Sequence, residues 1–254
     1  MDDITPGAAV RVTRGRAQIA VVGVLAVCAV RAAELLALGA QAAMLEHVRG
    51  GGVVSPADAA LNDARIQTIT SIAGVAWILA GVVFLRWVAS AHRSANVLDR
   101  DDVGPTPPAS AVWSYFIPFV NFVRPYHDMA RLAQKSDPRD LVLPPERVEN
   151  VGAGYRDAAR REVARAPWSP PRYFVGLWWA SYVLLTLWAN AAAFVRPHRG
   201  TDLGSLLDGT YFMMAHDALL VVTGGLCVAV VRGITACQRE RTRRLAILAR
   251  AEAA

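Results

Sequence analysis

W-S-Y-F-I-P-F-V-N-F-V-R-P-Y-H-D-M-A-R-L-A-Q-K-S-D-P, residues 113–138, begins apolar enough to enter a membrane and is too broken to cross one. From Ala111 to Val123 an α-helix would reach only about 20 Å at roughly 1.5 Å per residue, against about 30 Å of hydrocarbon. Pro118 interrupts even that length, and Asn121, Arg124 and Pro125 close the stretch off. The pattern predicts a short re-entrant or half-membrane helix over 111–123, dipping into one leaflet or buried against neighbouring helices. Trp113, Pro118, Asn121, Pro125 and Tyr126 are the residues that define it.

Outward from this stretch the chain alternates between long apolar runs and polar connections. Of its 254 residues 54% are apolar, and the mean hydropathy is positive. An all-α membrane protein is expected, with a polytopic domain over 17–231 and spans at about 17–43, 66–88, 173–195 and 211–231. A polar tail, 1–16, precedes the domain, and a basic tail, 232–254, follows it. Between the re-entrant element and the third span lies a basic loop, 124–172. Residues 46–65 are expected to form a loop broken at Gly50-Gly51-Gly52, with a turn or helix start at Ser55-Pro56. Residues 89–108 form a second polar connection. A signal peptide is the competing reading of the first run, because Leu25-Ala26-Val27-Cys28 resembles a lipoprotein cleavage box. Val27 is bulkier than the small residue such a box needs and apolar sequence continues past it, so a retained anchor is expected. Cys28, Cys227 and Cys237 form no disulfide framework.

Charge sets the orientation. If the re-entrant element does not cross, 22 of the 27 Lys and Arg residues fall on one side, with only Arg49, Arg65, Arg196 and Arg199 opposite and Arg31 within the first span. Positive-inside reasoning then places both termini in the cytoplasm. Lys135 is the only lysine, and this Arg- and Ala-rich usage looks like a high-GC bacterial coding background; with the apolar spans, a multi-pass protein of the bacterial inner (cell) membrane is expected. The net charge of +6 is concentrated in particular loops, which favours anionic lipid headgroups over nucleic acid as the partner.

Four blocks of residues carry a family resemblance. They are Trp87, Ala91, Arg93, Ala95 and Leu98; then Trp113, Phe116, Ile117, Pro118, Asn121, Pro125, Tyr126 and Met129; then Ser136-Asp137-Pro138; and finally Trp178-Trp179. In these the chain resembles the bacterial domain of unknown function 4328 family of multi-span membrane proteins, over most of its length from the second span onward. Ser94 stands where that pattern leads one to expect Asn, and 139–172 is longer than usual. The resemblance implies architecture and location and supplies no catalytic residue.

No nucleophile elbow, phosphate-binding glycine loop or zinc-protease helix is present in the sequence, so no enzyme, cofactor or metal is expected. His92, His127-Asp128 and His216-Asp217 are the only candidates for ligation, and adjacent residues diverge by about 100° on a helix. Polar packing is their simpler role. Asn121 is expected either to satisfy backbone groups freed by the two prolines or to floor a small site. Trp87, Trp113, Trp178 and Trp179 are expected as interfacial anchors. Arg31, Glu34, Asn190, His216 and Asp217 fall in one layer of the outer membrane half, as do Thr70 and Ser71. There Arg31 is expected to bridge Glu34, one turn away, and Asp217 on the fourth span.

The expected role is that of a non-enzymatic membrane component binding a partner protein or lipid through its basic cytoplasmic face, the alternative being a small transporter or channel subunit. Arg156, Arg160, Arg161 and Arg165 are the expected lipid-facing cations, each contributing about 1 kcal/mol near an anionic leaflet. Replacing these four with Gln should weaken binding of the 139–171 segment to anionic vesicles and flatten its salt dependence. Unchanged binding in a vesicle sedimentation assay would remove that role.

Overall fold

The computed structural model describes residues 5–99, 104–141, 166–195 and 202–253. Arg156, Arg160, Arg161 and Arg165 lie outside the described residues. Helix accounts for 87% of the structure, and no strand occurs among the described residues. In chain order the helices are α1 (Pro6–Arg49), α2 (Pro56–Leu98), α3 (Pro108–Trp113), α4 (Arg124–Ser136), α5 (Arg172–Val195) and α6 (Leu203–Ala253). Tighter 3-10 turns occupy Val120–Phe122 and Pro138–Leu141.

Local chemistry explains the boundaries. Gly51, at φ 88°, turns the chain after α1 in a conformation that side chains resist. Ser55 then caps α2: its Oγ accepts the Asp58 N–H at 3.1 Å and donates to the Asp58 carboxylate at 2.6 Å, with Pro56 opening the helix. Pro171 precedes α5, and its carbonyl accepts the N–H groups of Phe174 and Val175. Asp202 caps α6 by accepting the Ser205 N–H at 3.2 Å.

Helices α1, α2 and α6 are each long and apolar enough to cross a membrane. Their lengths, 44, 43 and 51 residues, correspond to at least about 60 Å, twice the hydrocarbon thickness. Residues 46–49, 56–65 and 89–98, expected in polar connections, belong to these helices. Their Ala, Arg, Asn and Asp side chains reduce affinity for hydrocarbon without forbidding a helix. Helix α5, of 24 residues, carries Trp178, Trp179 and Trp188.

The chain divides into two compact units. The first draws on Met1–Ile19, Phe84–Gly176 and Ala229–Ala254. Within it Trp87, Ala91, Ala95 and Leu98 are buried, and their spacing of four, four and three puts them on one face of α2. Polar groups fill the rest of this interior. Thr13 bonds the Ser90 carbonyl at 3.0 Å and the Ser94 hydroxyl at 2.7 Å. Gln238 donates to the Ala91 carbonyl at 2.9 Å and to Ser136 Oγ at 3.1 Å. The buried Arg241 and Arg244 reach the carbonyls of Asp137 and Pro138 at 2.7 and 2.9 Å, clamping the turn after α4 to α6. Gly233 keeps that helix close to the proline-rich approach to α5, since a Cβ there would lie 2.9 Å from Pro170 Cδ and 3.0 Å from the Trp168 ring.

The second unit draws on Ala20–Val83 and Leu177–Val228, and it exposes large apolar side chains while burying several polar ones among apolar residues such as Val21, Leu38, Trp178 and Leu185. Val22, Ile72, Val75, Ile78, Leu79 and Val222 are exposed, whereas Glu34, Asn62, Thr210, Asp217 and Thr223 are buried. Its helices approach through small residues. Gly23 lies against Ala80 and Val83, and a Cβ on Gly224 would collide with Cys28 Sγ.

Three of the four tryptophans expected as interfacial anchors are instead buried in protein. Trp87 is fully enclosed and donates Nε1–H to Thr235 Oγ1 at 3.2 Å, while Trp178 and Trp179 pack edge to face at 5.7 Å. An indole with a hydrogen-bond partner is as well served inside a bundle as at an interface.

His92 lies beyond the apolar run that ends at Val88. It is buried, and the loss of hydration, aided by the Lys135 charge, pushes its pKa down from 6.5 to about 4. The unfolded chain therefore takes up a proton first as the pH falls. Stability is full above pH 6.5 and declines toward pH 4 by about 3 kcal/mol for this one residue. Thermal unfolding in detergent across that window should show the decline, and His92→Leu should remove this part of it.

Candidate functional site

The broken stretch does not form the half-helix expected over 111–123. Helix α3 ends at Trp113, and the N–H groups of Tyr115 and Phe116 turn back to Val112 and Trp113. Pro118 cannot continue a helix, and its carbonyl accepts the Val120 N–H at 2.8 Å across Phe119, which sits at φ 63°, ψ −40°. This is a γ-turn of positive φ, a rare and strained form for a side chain as large as Phe. Asn121 and Val123 complete the run with N–H bonds to the Ile117 and Val120 carbonyls. Turns therefore satisfy the backbone groups that Asn121 was expected to serve, and Asn121 Oδ1 is buried without a hydrogen-bond partner among the described residues.

Around this turn the apolar side chains point outward. Trp113 is 63% exposed and Phe119 84%, with Phe116, Ile117 and Val123 also exposed. Pro125 is buried at the start of α4, and the Tyr126 ring lies 5.0 Å from that of His127. An open cavity of about 670 Å³ lies beside them, lined by Arg124, His127, Asp128 and Arg131 of α4, by Val120 and Val123, and by residues 104–107. Asn96 holds the latter segment by donating to the Thr106 carbonyl at 2.9 Å.

A second constellation lies in the other compact unit. Arg31 Nη1 is 2.6 Å from Glu34 Oε2 and 3.3 Å from Asp217 Oδ1, so one guanidinium nitrogen serves both carboxylates. Thr70 donates to Glu34 Oε1 at 2.6 Å, and His216 Nδ1 lies 3.3 Å from Asp217 Oδ1. Glu34 is 1% exposed and Asp217 fully buried. Arg31 Nε and Asp217 Oδ2 have no hydrogen-bond partner among the described residues. Asn190 is not part of the constellation: it is exposed and donates to the Thr186 carbonyl of its own helix at 2.7 Å. Ser71 likewise turns back to the Gln67 carbonyl. No cluster of three or more His, Cys, Asp or Glu side chains suited to a metal occurs among the described residues.

The profile described as Domain of unknown function (DUF4328) matches residues 51–236, more than half of the chain. The chain belongs to the DUF4328 family. No curated protein and no solved structure matches it. The DUF4328 motif residues Trp87, Ala91, Ala95, Leu98, Met129 and Ser136 are buried here, so that much of the pattern describes packing. Ser94, in place of the expected Asn, bonds Thr13. One polar chain of this DUF4328 protein escaped sequence reasoning. Arg65 donates to Asn62 Oδ1 at 2.6 Å, Asn62 to Gln41 at 3.5 Å, and Gln41 to Thr210 at 3.1 Å. The spacing of Asn62 and Arg65, one turn apart, was its only sequence signal.

Breaking a buried ion pair by removing one partner costs about 3 to 5 kcal/mol, because the survivor is left uncompensated. Arg31→Leu should therefore lower the thermal midpoint in detergent further than the triple change Arg31→Leu, Glu34→Leu, Asp217→Leu. A triple variant worse by the sum of three separate losses would show that the groups act independently.

Proposed function

We propose that this DUF4328 protein is a four-span component of the bacterial inner membrane, with both termini cytoplasmic, that binds anionic lipid or a partner protein through its basic face and carries out no reaction of its own. The observation that carries this reading is the segregation of charge, with 22 of 27 cations on one side of the four spans. The outward apolar side chains of α1, α2 and α6 support a membrane setting, and α5, about 36 Å long, has the length for the fourth crossing. Exposed aromatic residues in a stretch too short to span suit contact with a single leaflet.

A transporter or channel subunit is the second reading, favoured by Asp217 Oδ2, which is buried with no hydrogen-bond partner among the described residues. Proton or cation flux into vesicles that depends on Asp217 would select it.

Single cysteines in a chain with Cys28, Cys227 and Cys237 replaced by Ala test the topology. Under this reading cysteines at Arg139 and Arg239, both exposed, react with an impermeant maleimide only from the cytoplasmic side, and cysteines at Gly51 and Gly204 only from outside. Labelling at 139 from outside would mean that the broken stretch crosses the membrane.

A further inference from the structure

The cavity beside α4 and the apolar surface of the broken stretch share Val120 and Val123. Arg124, His127, Asp128 and Arg131 recur at three- and four-residue spacing along the first turns of α4, so one helix face supplies the polar wall. Two arginines against one aspartate leave that wall with a net charge of +1 when His127 is neutral. Arg124 is held by Ser110 Oγ at 2.7 Å and lies 3.6 Å from Asp128 Oδ2, an ion-pair distance beyond hydrogen bonding. Asp128 is 4% exposed, and its Oδ2 has no hydrogen-bond partner among the described residues. Burial pushes its carboxyl pKa up, opposed by the charges of Arg124, Arg131 and His127. The wall thus offers cationic donors for a phosphate and, beside them, a buried acceptor in need of a hydroxyl.

The apolar side of the site is strained. A bulky residue at positive φ costs on the order of 1–3 kcal/mol, and the Phe119 ring, 84% exposed, makes little protein contact to offset it. Hydrocarbon around the ring would offset it.

We propose that this cavity is the headgroup site of an anionic glycerophospholipid bearing headgroup hydroxyls, with its phosphate on Arg124 and Arg131, a hydroxyl on Asp128, and its acyl chains along Phe116, Phe119 and Val123. The proposal rests on the reading that this face meets the cytoplasmic leaflet, and it narrows that reading from a basic surface to one site and one lipid class. A cavity of about 670 Å³ lies within the size range of small-ligand pockets.

The test is delipidated full-length protein in neutral detergent, titrated with phosphatidylglycerol, phosphatidic acid, phosphatidylcholine or inorganic phosphate, with bound adducts counted by native mass spectrometry. One phosphatidylglycerol per chain should bind in preference to phosphatidylcholine. Arg124→Gln with Arg131→Gln should weaken it roughly 30-fold, and Arg131→Gln alone, at an exposed position, roughly fivefold. Asp128→Ala, which removes the acceptor, should lower the ratio of phosphatidylglycerol to phosphatidic acid affinity, since phosphatidic acid has no glycerol hydroxyl in its headgroup. The exposed pair Arg232→Gln, Arg239→Gln removes the same charge and should change affinity less than twofold. Equal losses in the two double variants would overturn the cavity site while leaving the basic-face reading standing. The absence of any anionic preference in the unaltered chain would overturn both. Inorganic phosphate competing as well as the lipid would overturn the lipid in favour of a free-phosphate site.

Discussion

Two carboxylates and one guanidinium, Glu34, Asp217 and Arg31, are enclosed in a compact unit whose outer surface is apolar, and the arrangement of that unit follows from keeping them there. A charge removed from water is tolerated only when paired and hydrogen-bonded, so Arg31 must lie between its two partners and Thr70 must supply Glu34 with a donor. That requirement constrains the rotation of α1, α2 and α6 within the unit. It also demands close helix approach, which Gly23 and Gly224 permit by having no side chain where Ala80 and Cys28 pass. Apolar residues such as Val22, Ile78 and Leu79 face outward, while others such as Val21, Leu38 and Leu185 pack inside around the charges.

In the other unit the same physics acts on the backbone. The chain after α4 leaves helix at Asp137, and the carbonyls exposed there are taken by Arg241 and Arg244 of α6. Gln238 does the same for Ala91 on α2 while also reaching Ser136. Arginine suits this work because its fork of donors can serve a carbonyl and a carboxylate together, as Arg244 does for Pro138 and Glu240. Several of the cations that make the sequence basic are therefore structural, and the charge available to a partner is smaller than the net +6 suggests.

The stretch 113–123 is where the local rules conflict. Pro118 forbids a helix, the neighbouring residues are too apolar for a solvated loop, and the chain resolves the conflict with a γ-turn at Phe119 and a 3-10 turn after it. The result is a rigid, strained apolar surface next to the cations of α4. A Gly at 119 would relieve the strain and lose the ring.

Long apolar runs and the asymmetric placement of arginine were enough, without coordinates, to establish a helical chain with several segments suited to hydrocarbon, because length and hydropathy act locally. The family pattern around Trp87 and Trp113 was equally legible, and so was the break at Pro118, since proline's missing N–H acts wherever it stands. The extent of the helices was not legible: polar residues such as those at 56–65 and 89–98 end an apolar run without ending a helix. Which polar groups would meet was only partly legible. Arg31 and Glu34 share a turn and announce themselves, whereas the approach of Asp217, 186 residues away, and the departure of Asn190 to its own helix depend on helix rotation. Rotation answers both to the pairing of those charges and to how small residues on separate helices fit together. That fit exists only in the folded chain, and it buried Trp87, Trp178 and Trp179 while leaving Trp113 outside.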